Sequence, residues 1–327
     1  MVGGAGAYFA HLYAVKHANY SGSGTGEVTV LVRSGDTGTS LARELIRLGV
    51  IKAADPFIAA AKDSTNPTGL EPGFFRLHKH MNAALAYALL LNPKSRIQSK
   101  VTIPDGQRLV TILTTLSQET GIALSKFTAA SHDTAALGLP AYAHGSLEGY
   151  LYPATYYIQP GTSALGVLQT MVNQFKTQMQ GINLPRKAKA AQLTQGQVIT
   201  VASLLEAEGG SCGCYSKIAQ VIYNRLNTHM PLELDSTVLY ALNKTGYLLT
   251  PSQLHVNSPY NTFIHKGLPP GPIDNPDQAA ILAALHPTRG DWLYFVTVNP
   301  ATGLTKFTDS AKVFARYEAE CRKKGAC

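Results

Sequence analysis

Residues 194–210 have the sequence TQGQVITVASLLEAEGG, and this stretch decides how the second half of the chain folds. Thr194 followed three residues later by Gln197 is the start signal of a helical capping box, and the closing Gly-Gly pair is a stop signal. From Val198 onward, apolar side chains recur at i, i+3, i+4 and i+7, which places them on one helical face. The pattern predicts a helix over residues 195–208 with one face in a core.

The last turn of this helix carries two carboxylates, Glu206 and Glu208. Glu206 lies on the border of the apolar stripe, so its side chain is predicted to be half-buried. Partial loss of solvent, the negative end of the helix dipole and the neighbouring Glu208 would all raise its pKa, as a general acid requires near neutral pH. The alternative is a pair of solvated glutamates at the end of a surface helix, and helix position alone favours that alternative.

The composition is that of an ordinary globular protein of 327 residues, with 45% hydrophobic side chains and a formal net charge of +8. Lys plus Arg outnumber Asp plus Glu by 28 to 20 because acids are scarce, and no basic cluster stands out. A positive protein suits an anionic surface such as a bacterial envelope or a nucleic acid. No Arg-rich helix, zinc-finger spacing or aromatic RNA-binding strand occurs, so we predict no nucleic-acid partner.

The N-terminal segment 2–15, VGGAGAYFAHLYAV, is apolar apart from His11. It is shorter than the roughly 20 residues that span a bilayer. A Gly/Ser-rich linker follows at 19–26. We predict that residues 1–26 are the remnant of a membrane anchor with its linker, in a chain whose beginning lies upstream of Met1. The alternative is a frayed apolar tail.

The four cysteines, Cys212, Cys214, Cys321 and Cys327, form an even set that permits disulfides outside the cytoplasm. The sequence leaves their pairing open. The Cys-x-Cys spacing is a poor zinc signature, and the ten histidines are scattered without a metal-ligand pattern. We therefore predict neither a metal nor a cofactor.

The first half of the chain has a β-α-α-β pattern. Residue alternation predicts strands at 27–33 and 73–78, helical periodicity predicts helices at 39–48 and 55–62, and a further Ala/Leu-rich helix is predicted at 82–91. With its Gly-Asp-Thr turn before the first helix, the pattern resembles a LysM-like module, a small fold that commonly binds the GlcNAc-containing glycan of peptidoglycan. We assign residues 27–93 to this module.

The second half combines helices with a late hairpin, so the predicted fold class of the whole chain is α+β. Besides the helix at 195–208, predicted helices cover 162–180, 217–228 and 236–242, and predicted hairpin strands cover 292–298 and 304–308. The loop Gly267-Leu-Pro-Pro-Gly-Pro-Ile273 is too rigid for a flexible linker. It either walls a groove or is a plain surface connection.

Several ordered motifs together make the chain similar to the endolytic murein transglycosylases of the MltG, or YceG-like, family. The motifs are Leu70–Arg76, Leu147–Pro153, Ala202–Glu208, Val221–Leu226, Leu234–Tyr240, Ser258–Thr262, Gly267–Ile273, Ala283–Pro287, Leu293–Val296 and Phe307. The resemblance spans about residues 27 to 310, and an ordered set of motifs is far more specific than any single one.

The resemblance implies a mixed α+β catalytic domain over residues 94–327, on a single-pass membrane protein with extracytoplasmic domains. It implies peptidoglycan glycan strands as the substrate and peptidoglycan synthases as candidate partners. Glu206 matches the family's catalytic glutamate by position, and Glu208 is the rival acid. The implied reaction cleaves the β-1,4 bond between MurNAc and GlcNAc within nascent strands without water and leaves 1,6-anhydro-MurNAc ends.

Seven other residues in the matching motifs receive predicted substrate-binding roles. They are Glu148, Tyr152, Asp235, Ser236, Tyr260, Asn261 and Thr262. The polar members would bind sugar hydroxyls and N-acetyl groups or orient the catalytic carboxyl, and the two tyrosines would stack on sugar faces. For each residue a structural role stays open, as a helix cap, in a turn or in the core.

The sequence departs from the family pattern at three places, one of which is the Cys212-Gly-Cys214 insertion beside the end of the catalytic helix. Ala154 stands where family members often carry an acid, and Ala207-Glu208-Gly209 replaces a Lys-Glu-Thr run. These changes leave the implied chemistry plausible, but they put in doubt the shape of the nearby loop and the roles of the residues that surround the catalytic glutamate. Three classes of function remain: a lytic transglycosylase, a glycan-binding protein without activity and a glycan hydrolase.

Overall fold

The structure, a computed structural model, describes residues 13–15, 17–33, 35–64, 70–209, 212–246 and 249–324. The chain divides into two compact units. The first comprises Met1–Lys100 with Tyr157–Thr162, and the second comprises Val101–Tyr156 with Ser163–Cys327. The predicted division into residues 27–93 and 94–327 stays a prediction.

The first unit contains the predicted β-α-α-β order. Its elements are β1 (Thr25–Val32), α1 (Gly38–Arg47), α2 (Ala54–Asp63), β2 (Gly73–Lys79), α3 (Ala83–Leu91) and β3 (Arg96–Ile97). The three strands form an antiparallel sheet in the order β1-β2-β3. Predicted and observed ends agree to within about two residues, while the LysM-like identity of the module stays a prediction.

The three helices of this unit share one hydrophobic core with the sheet, because each buries apolar side chains there. Thr37 caps α1 through a capping box with Ser40, and Leu41 and Leu45, one turn apart, are buried. In β1, alternation of the side chains turns Val30 and Val32 toward the same core. Local signals were therefore sufficient to predict the three helices and the first two strands of this unit.

The elements that follow along the chain are mostly helical, with two small pairs of strands. They are β4 (Ser99–Ile103), α4 (Leu109–Thr120), α5 (Leu124–His132), α6 (Thr134–Leu137), β5 (Ala154–Ile158), α7 (Ala164–Gly181), α8 (Leu184–Ala190), α9 (Gln195–Gly209), α10 (Tyr215–Asn227), α11 (Asp235–Ala241), α12 (Gln278–Leu285), β6 (Tyr294–Asn299), β7 (Leu304–Thr308) and α13 (Ala311–Lys323). β4 pairs with β5, and β6 pairs with β7 as the predicted hairpin. The mixture confirms the predicted α+β class.

Helix α9 is the centre of the second unit, and its surroundings correct one prediction. The capping box is present, since the Thr194 amide donates to Gln197 Oε1 at 2.9 Å and the Gln197 amide donates to Thr194 Oγ1 at 3.1 Å. However, every residue from Val198 to Leu205 is buried, so the helix is enclosed on all sides and has no solvent face along this run. Packing of α8, α10, α11 and α12 around it produces this burial.

The cysteines and the N-terminal segment are relevant to the predicted compartment and to the predicted membrane attachment of the chain. Cys212 and Cys214 form a disulfide, and Cys321 is also disulfide-bonded. Of the apolar segment 2–15, only residues 13–15 belong to the described part. Among the described helices, none combines the length and apolar character that crossing a membrane requires.

Candidate active site

Glu206 lies in the last turn of α9, and each of its carboxyl oxygens accepts a hydrogen bond. The Tyr215 hydroxyl donates to Oε1 at 2.7 Å, and the backbone amide of Asp277 donates to Oε2 at 3.1 Å. The side chain is half-buried. Two fixed donors and partial burial therefore give this carboxyl one defined orientation.

Tyr215 reaches Glu206 because α9 ends on a glycine. A Cβ built on Gly209 would overlap the ring carbons of Tyr215. The ring thus occupies the space that any other residue at 209 would fill. Tyr215 itself begins α10, which starts two residues earlier than the sequence predicts.

Asp277 contributes its backbone to the site and its side chain to a helix. It is the N-cap of α12, where its carboxylate accepts from the Ala280 amide at 2.7 Å. This N-cap geometry turns the Asp277 amide toward Glu206 at the positive end of the α12 dipole. The start of α12 therefore stabilises the ionised form of Glu206.

A turn after β4 brings a third carboxylate to the site. Gly106, with a φ of 66°, forms the turn, and its amide donates to the Asn275 carbonyl at 3.0 Å. Asp105, just before it, is exposed. One carboxylate oxygen from each of Asp105, Glu206 and Asp277 lies within 4.8 Å of the others, a grouping of described residues that a metal ion could share.

The pKa of Glu206 is raised, and loss of solvent is the largest cause. The hydrogen bonds from Tyr215 and Asp277 act in the opposite direction, while the negative charges of Asp277 and Asp105 raise the pKa further. The sequence assigned this repulsion to Glu208. That assignment is corrected: charges from distant parts of the chain, brought in by folding, produce the repulsion.

Glu208, the rival acid, has a different environment. It lies two residues beyond Glu206 and faces Ser236 and Asp235, and burial raises its pKa most, followed in that direction by the charge of Asp235. Ser236 acts in the opposite direction and lowers the pKa of Glu208. Asp235, whose side chain is exposed, starts α11.

Glu148 is the most deeply buried of the predicted binding acids, with 8% of its surface exposed. Its carboxyl accepts from the Leu109 amide at 2.8 Å and from the Tyr240 hydroxyl at 3.2 Å. Burial raises the pKa of Glu148 to about 7, against the effects of these donors and of Arg108. The group is thus set to change charge near neutral pH.

The two predicted stacking tyrosines are half-buried. Tyr260 lies against Tyr240 with ring centroids 4.8 Å apart. The Tyr152 carbonyl accepts a hydrogen bond from the Tyr156 hydroxyl. Burial raises the pKa of Tyr152 most, and the charge of Asp277 raises it further. Tyr152 is therefore within electrostatic reach of the Glu206 site, and its stacking on a sugar stays a prediction.

Asn261 and Thr262 have contacts typical of structural residues. Asn261 is fully buried, and its side-chain amide donates to the carbonyls of Leu254 and Val256, both at 2.9 Å. Thr262 Oγ1 accepts from the Leu234 amide at 3.0 Å. These bonds fix the chain on either side of α11, and sugar binding by the pair stays a prediction.

Sequence reasoning missed Tyr215, Asp277 and Asp105. Asp277 had a usable signal, because Pro-Asp before the Ala-rich run at 278–285 is a helix start. For Tyr215 no pattern in the sequence points to Glu206. Asp105 is one of many turn aspartates, and only folding reveals its neighbours.

The fold and the site together define the class of protein. It is an α+β protein whose site contains a half-buried carboxyl, Glu206, that can release and recover a proton. The model of the YceG-like family matches residues 30–320. The chain belongs to the YceG-like family.

Named relatives with similar sequences support this family membership. An endolytic murein transglycosylase of Bacillus subtilis is 30% identical over 300 residues, which cover 87% of this chain and 82% of the relative. A protein of the same name from Streptococcus pneumoniae is 30% identical over 323 residues, or 89% of this chain and 58% of the relative. This chain therefore spans little more than half of the pneumococcal protein.

A solved structure supports the fold. The crystal structure of a yceG-like protein from Listeria monocytogenes is 27% identical, with a TM-score of 0.61, and the match covers 89% of this chain and 98% of that one. The likeness extends over both compact units of the described chain.

Proposed function

We propose that this chain is an endolytic peptidoglycan lytic transglycosylase that cleaves the MurNAc-β-1,4-GlcNAc bond within nascent strands. The observation that carries the proposal is Glu206, a half-buried carboxyl with a raised pKa held between two donors. Names of relatives support the choice of substrate. In the cell, such cleavage would limit strand length during wall synthesis.

In the first step, protonated Glu206 donates its proton to the glycosidic oxygen. The bond between that oxygen and C1 of MurNAc breaks, and the GlcNAc side leaves as an alcohol. The raised pKa favours the protonated form of Glu206, which is the form that a general acid needs.

In the second step, the Glu206 carboxylate removes the proton of the C6 hydroxyl of MurNAc. The C6 oxygen then bonds to C1 and closes the 1,6-anhydro ring. Glu206 ends protonated as it began, no water is consumed, and no external reactant is needed. The hydrogen bonds from Tyr215 and Asp277 stabilise the carboxylate between the two steps.

A glycan hydrolase is the second candidate, because one observation favours it. Retaining glycosidases hold two carboxyls about 5 to 5.5 Å apart. Asp105 and Asp277 have oxygens within 4.8 Å of Glu206, near that spacing. Asp277 is engaged as a helix cap, so exposed Asp105 would be the nucleophile of this alternative.

We also propose an extracytoplasmic location, with the chain held at the membrane by an N-terminal anchor and residues 27–93 acting as a LysM-like glycan-binding module. The Cys212–Cys214 disulfide supports an oxidising compartment. Peptidoglycan synthases are candidate partners, because nascent strands are their product.

The test is product analysis of purified peptidoglycan by mass spectrometry. We expect the protein to produce 1,6-anhydro termini, about one water lighter than reducing ends, and Glu206→Gln to abolish them. Reducing ends would support the hydrolase, and binding without cleavage would support the glycan-binding protein.

Glu208→Gln is the matched control, since it removes a neighbouring carboxyl on the same helix. We expect it to retain anhydro products. Loss of anhydro ends in Glu208→Gln together with their retention in Glu206→Gln would overturn the assignment of the acid.

A further inference from the structure

The Cys212–Cys214 disulfide borders a cavity beside the start of α10. The cavity has a volume of about 430 Å³, which is in the range of small-molecule sites. Its wall includes both cysteines, Lys217 and Phe307, and the turn of the β6–β7 hairpin. Lys217 and Leu304 of this wall are exposed, and the cysteines are half-buried. A small molecule from solvent can therefore approach the sulfur atoms.

Lys217 gives the cavity a positive charge. Its Nζ lies 5.6 Å from the centroid of the Phe307 ring and 5.7 Å from that of the Trp292 ring, so two aromatic faces hold the ammonium beside the cavity. Within the described ranges of the chain, none of the ion pairs involves Lys217. A negatively charged molecule in the cavity would therefore meet an ammonium that no carboxylate neutralises.

One sulfur of this disulfide already accepts a hydrogen bond. The Cys214 amide donates to Cys212 Sγ at 3.2 Å. This donor and the nearby ammonium would stabilise a thiolate on Cys212 once the bond between the sulfurs breaks. The two cysteines lie only two positions apart, so the disulfide closes a very short loop. Opening such a loop frees little of the chain, and the rest of the fold is expected to stay in place.

Cys321 has the opposite environment. It is also disulfide-bonded, but it is fully buried. A thiolate in solvent cannot reach its sulfur, and expulsion of Cys321 as a thiolate would place a negative charge in the interior, which is costly. The protein thus carries an accessible disulfide beside a cation and an internal reference for a disulfide with a buried sulfur.

We propose that Cys212–Cys214 is a thiol–disulfide exchange site for small thiols that carry a negative charge. The incoming thiolate bonds to Cys214 Sγ, the bond between the two cysteine sulfurs breaks, and its electron pair passes to Cys212 Sγ. The products are a mixed disulfide at Cys214 and a thiolate at Cys212, so no further oxidant or reductant is needed. Lys217 attracts the thiolate and the second negative group of the incoming molecule.

This chemistry goes beyond glycan cleavage and does not depend on it. Its position nevertheless gives it a connection to the candidate active site. Cys214 directly precedes Tyr215, whose hydroxyl donates to Glu206. Exchange therefore takes place one residue from a group that orients the proposed catalytic carboxyl.

The test compares two small thiols of opposite charge, 2-sulfanylethanesulfonate and 2-aminoethanethiol, at equal thiolate concentration and low ionic strength. After short reaction times, alkylation with iodoacetamide and peptide mass spectrometry identify which cysteine carries the thiol and which is free. We expect adducts on Cys214 with free Cys212, formed at least about tenfold faster than any product at Cys321. The sulfonate should react about three- to tenfold faster than the amine.

Substitutions at Lys217 test the origin of this preference. Lys217→Gln should remove the preference for the sulfonate, and Lys217→Arg, which keeps the charge, should retain it. Lys189→Gln is the matched control, because it removes the same charge from an exposed lysine of α8 and should leave the preference unchanged.

Three results would overturn the proposal. The first is exchange at Cys321 as fast as at Cys212–Cys214, because accessibility would then not select the site. The second is a preference for the sulfonate that survives in Lys217→Gln. The third is an adduct on Cys212 with free Cys214, since the hydrogen bond to Cys212 Sγ would then not select the leaving sulfur.

Discussion

The Tyr215 hydroxyl donates to Glu206 Oε1 at 2.7 Å, although the two residues lie on different helices. This bond favours the ionised carboxyl and so lowers the pKa of Glu206. The first prediction follows from that sign. Tyr215→Phe should raise the pKa of Glu206, so the alkaline limb of the kcat profile should move to higher pH.

The same substitution removes one of the two donors that orient the carboxylate, so maximal kcat should fall about tenfold. A pH series of initial rates measures both effects. Tyr223→Phe is the matched control, because Tyr223 is also half-buried and its hydroxyl donates to the Ala284 carbonyl rather than to Glu206. A limb that moves to lower pH in Tyr215→Phe would contradict the prediction.

Gly209 supplies the second prediction. Gly209→Ala would place a methyl group in the space of the Tyr215 ring, which must then move away from Glu206. We expect kcat to fall at least as far as in Tyr215→Phe, together with a loss of about 1–3 kcal/mol in the free energy of unfolding. Initial rates and urea unfolding check the two effects.

Gly181→Ala is the control for glycine replacement. Gly181 ends α7, and nothing lies within 4 Å of an added Cβ there. The change should stabilise the protein by about 0.5–1 kcal/mol without affecting kcat. If Gly209→Ala and Gly181→Ala have the same effects on kcat and on the free energy of unfolding, the predicted role of Gly209 in placing the Tyr215 ring is wrong.

The contrast between α9 and its surroundings explains how much the sequence could predict. The capping box of Thr194 and Gln197 is local, and both of its hydrogen bonds are present. Burial on all sides of α9 depends on helices far along the chain, so an apolar stripe alone could not predict it. The half-buried Glu206 was predicted correctly from that stripe and the helix end.

The partners of Glu206 could not be predicted for the same reason. Asp105 and Asp277 reach it through a turn and a helix start that Asn275 ties together by backbone and side-chain bonds. Hydrogen bonds between segments about 170 positions apart leave no periodic signal. The sequence therefore predicted the half-burial of Glu206 correctly and assigned the neighbouring negative charge to the wrong residue.

Glu148 gives the third prediction, a dependence of stability on pH. Its pKa is about 7 in the folded protein and near 4.5 without the fold. Because the folded state holds the proton more tightly, stability from this group is greatest below pH 4.5 and falls as pH rises toward 7. The full effect is about 3 kcal/mol.

Glu148→Gln removes this titration while keeping the shape of the side chain. Between pH 4.5 and 7.5, the free energy of unfolding of the variant should therefore rise relative to that of the original protein, by up to about 3 kcal/mol. Urea unfolding at several pH values measures the difference. A difference that stays constant with pH would show that Glu148 does not titrate in this window.

Asp105 gives the fourth prediction, which separates the two enzymatic candidates. Its negative charge raises the pKa of Glu206, so Asp105→Asn should lower that pKa and move the alkaline limb of kcat to lower pH. A transglycosylase would keep its anhydro products and most of its rate on the acidic side of the profile, because the C6 hydroxyl of MurNAc closes the ring without a second carboxylate. A retaining hydrolase with Asp105 as nucleophile would lose its activity at every pH. Mass spectrometry of the products across the pH series therefore identifies the group that attacks C1 of MurNAc, which is either a hydroxyl of the substrate or a carboxylate of the protein.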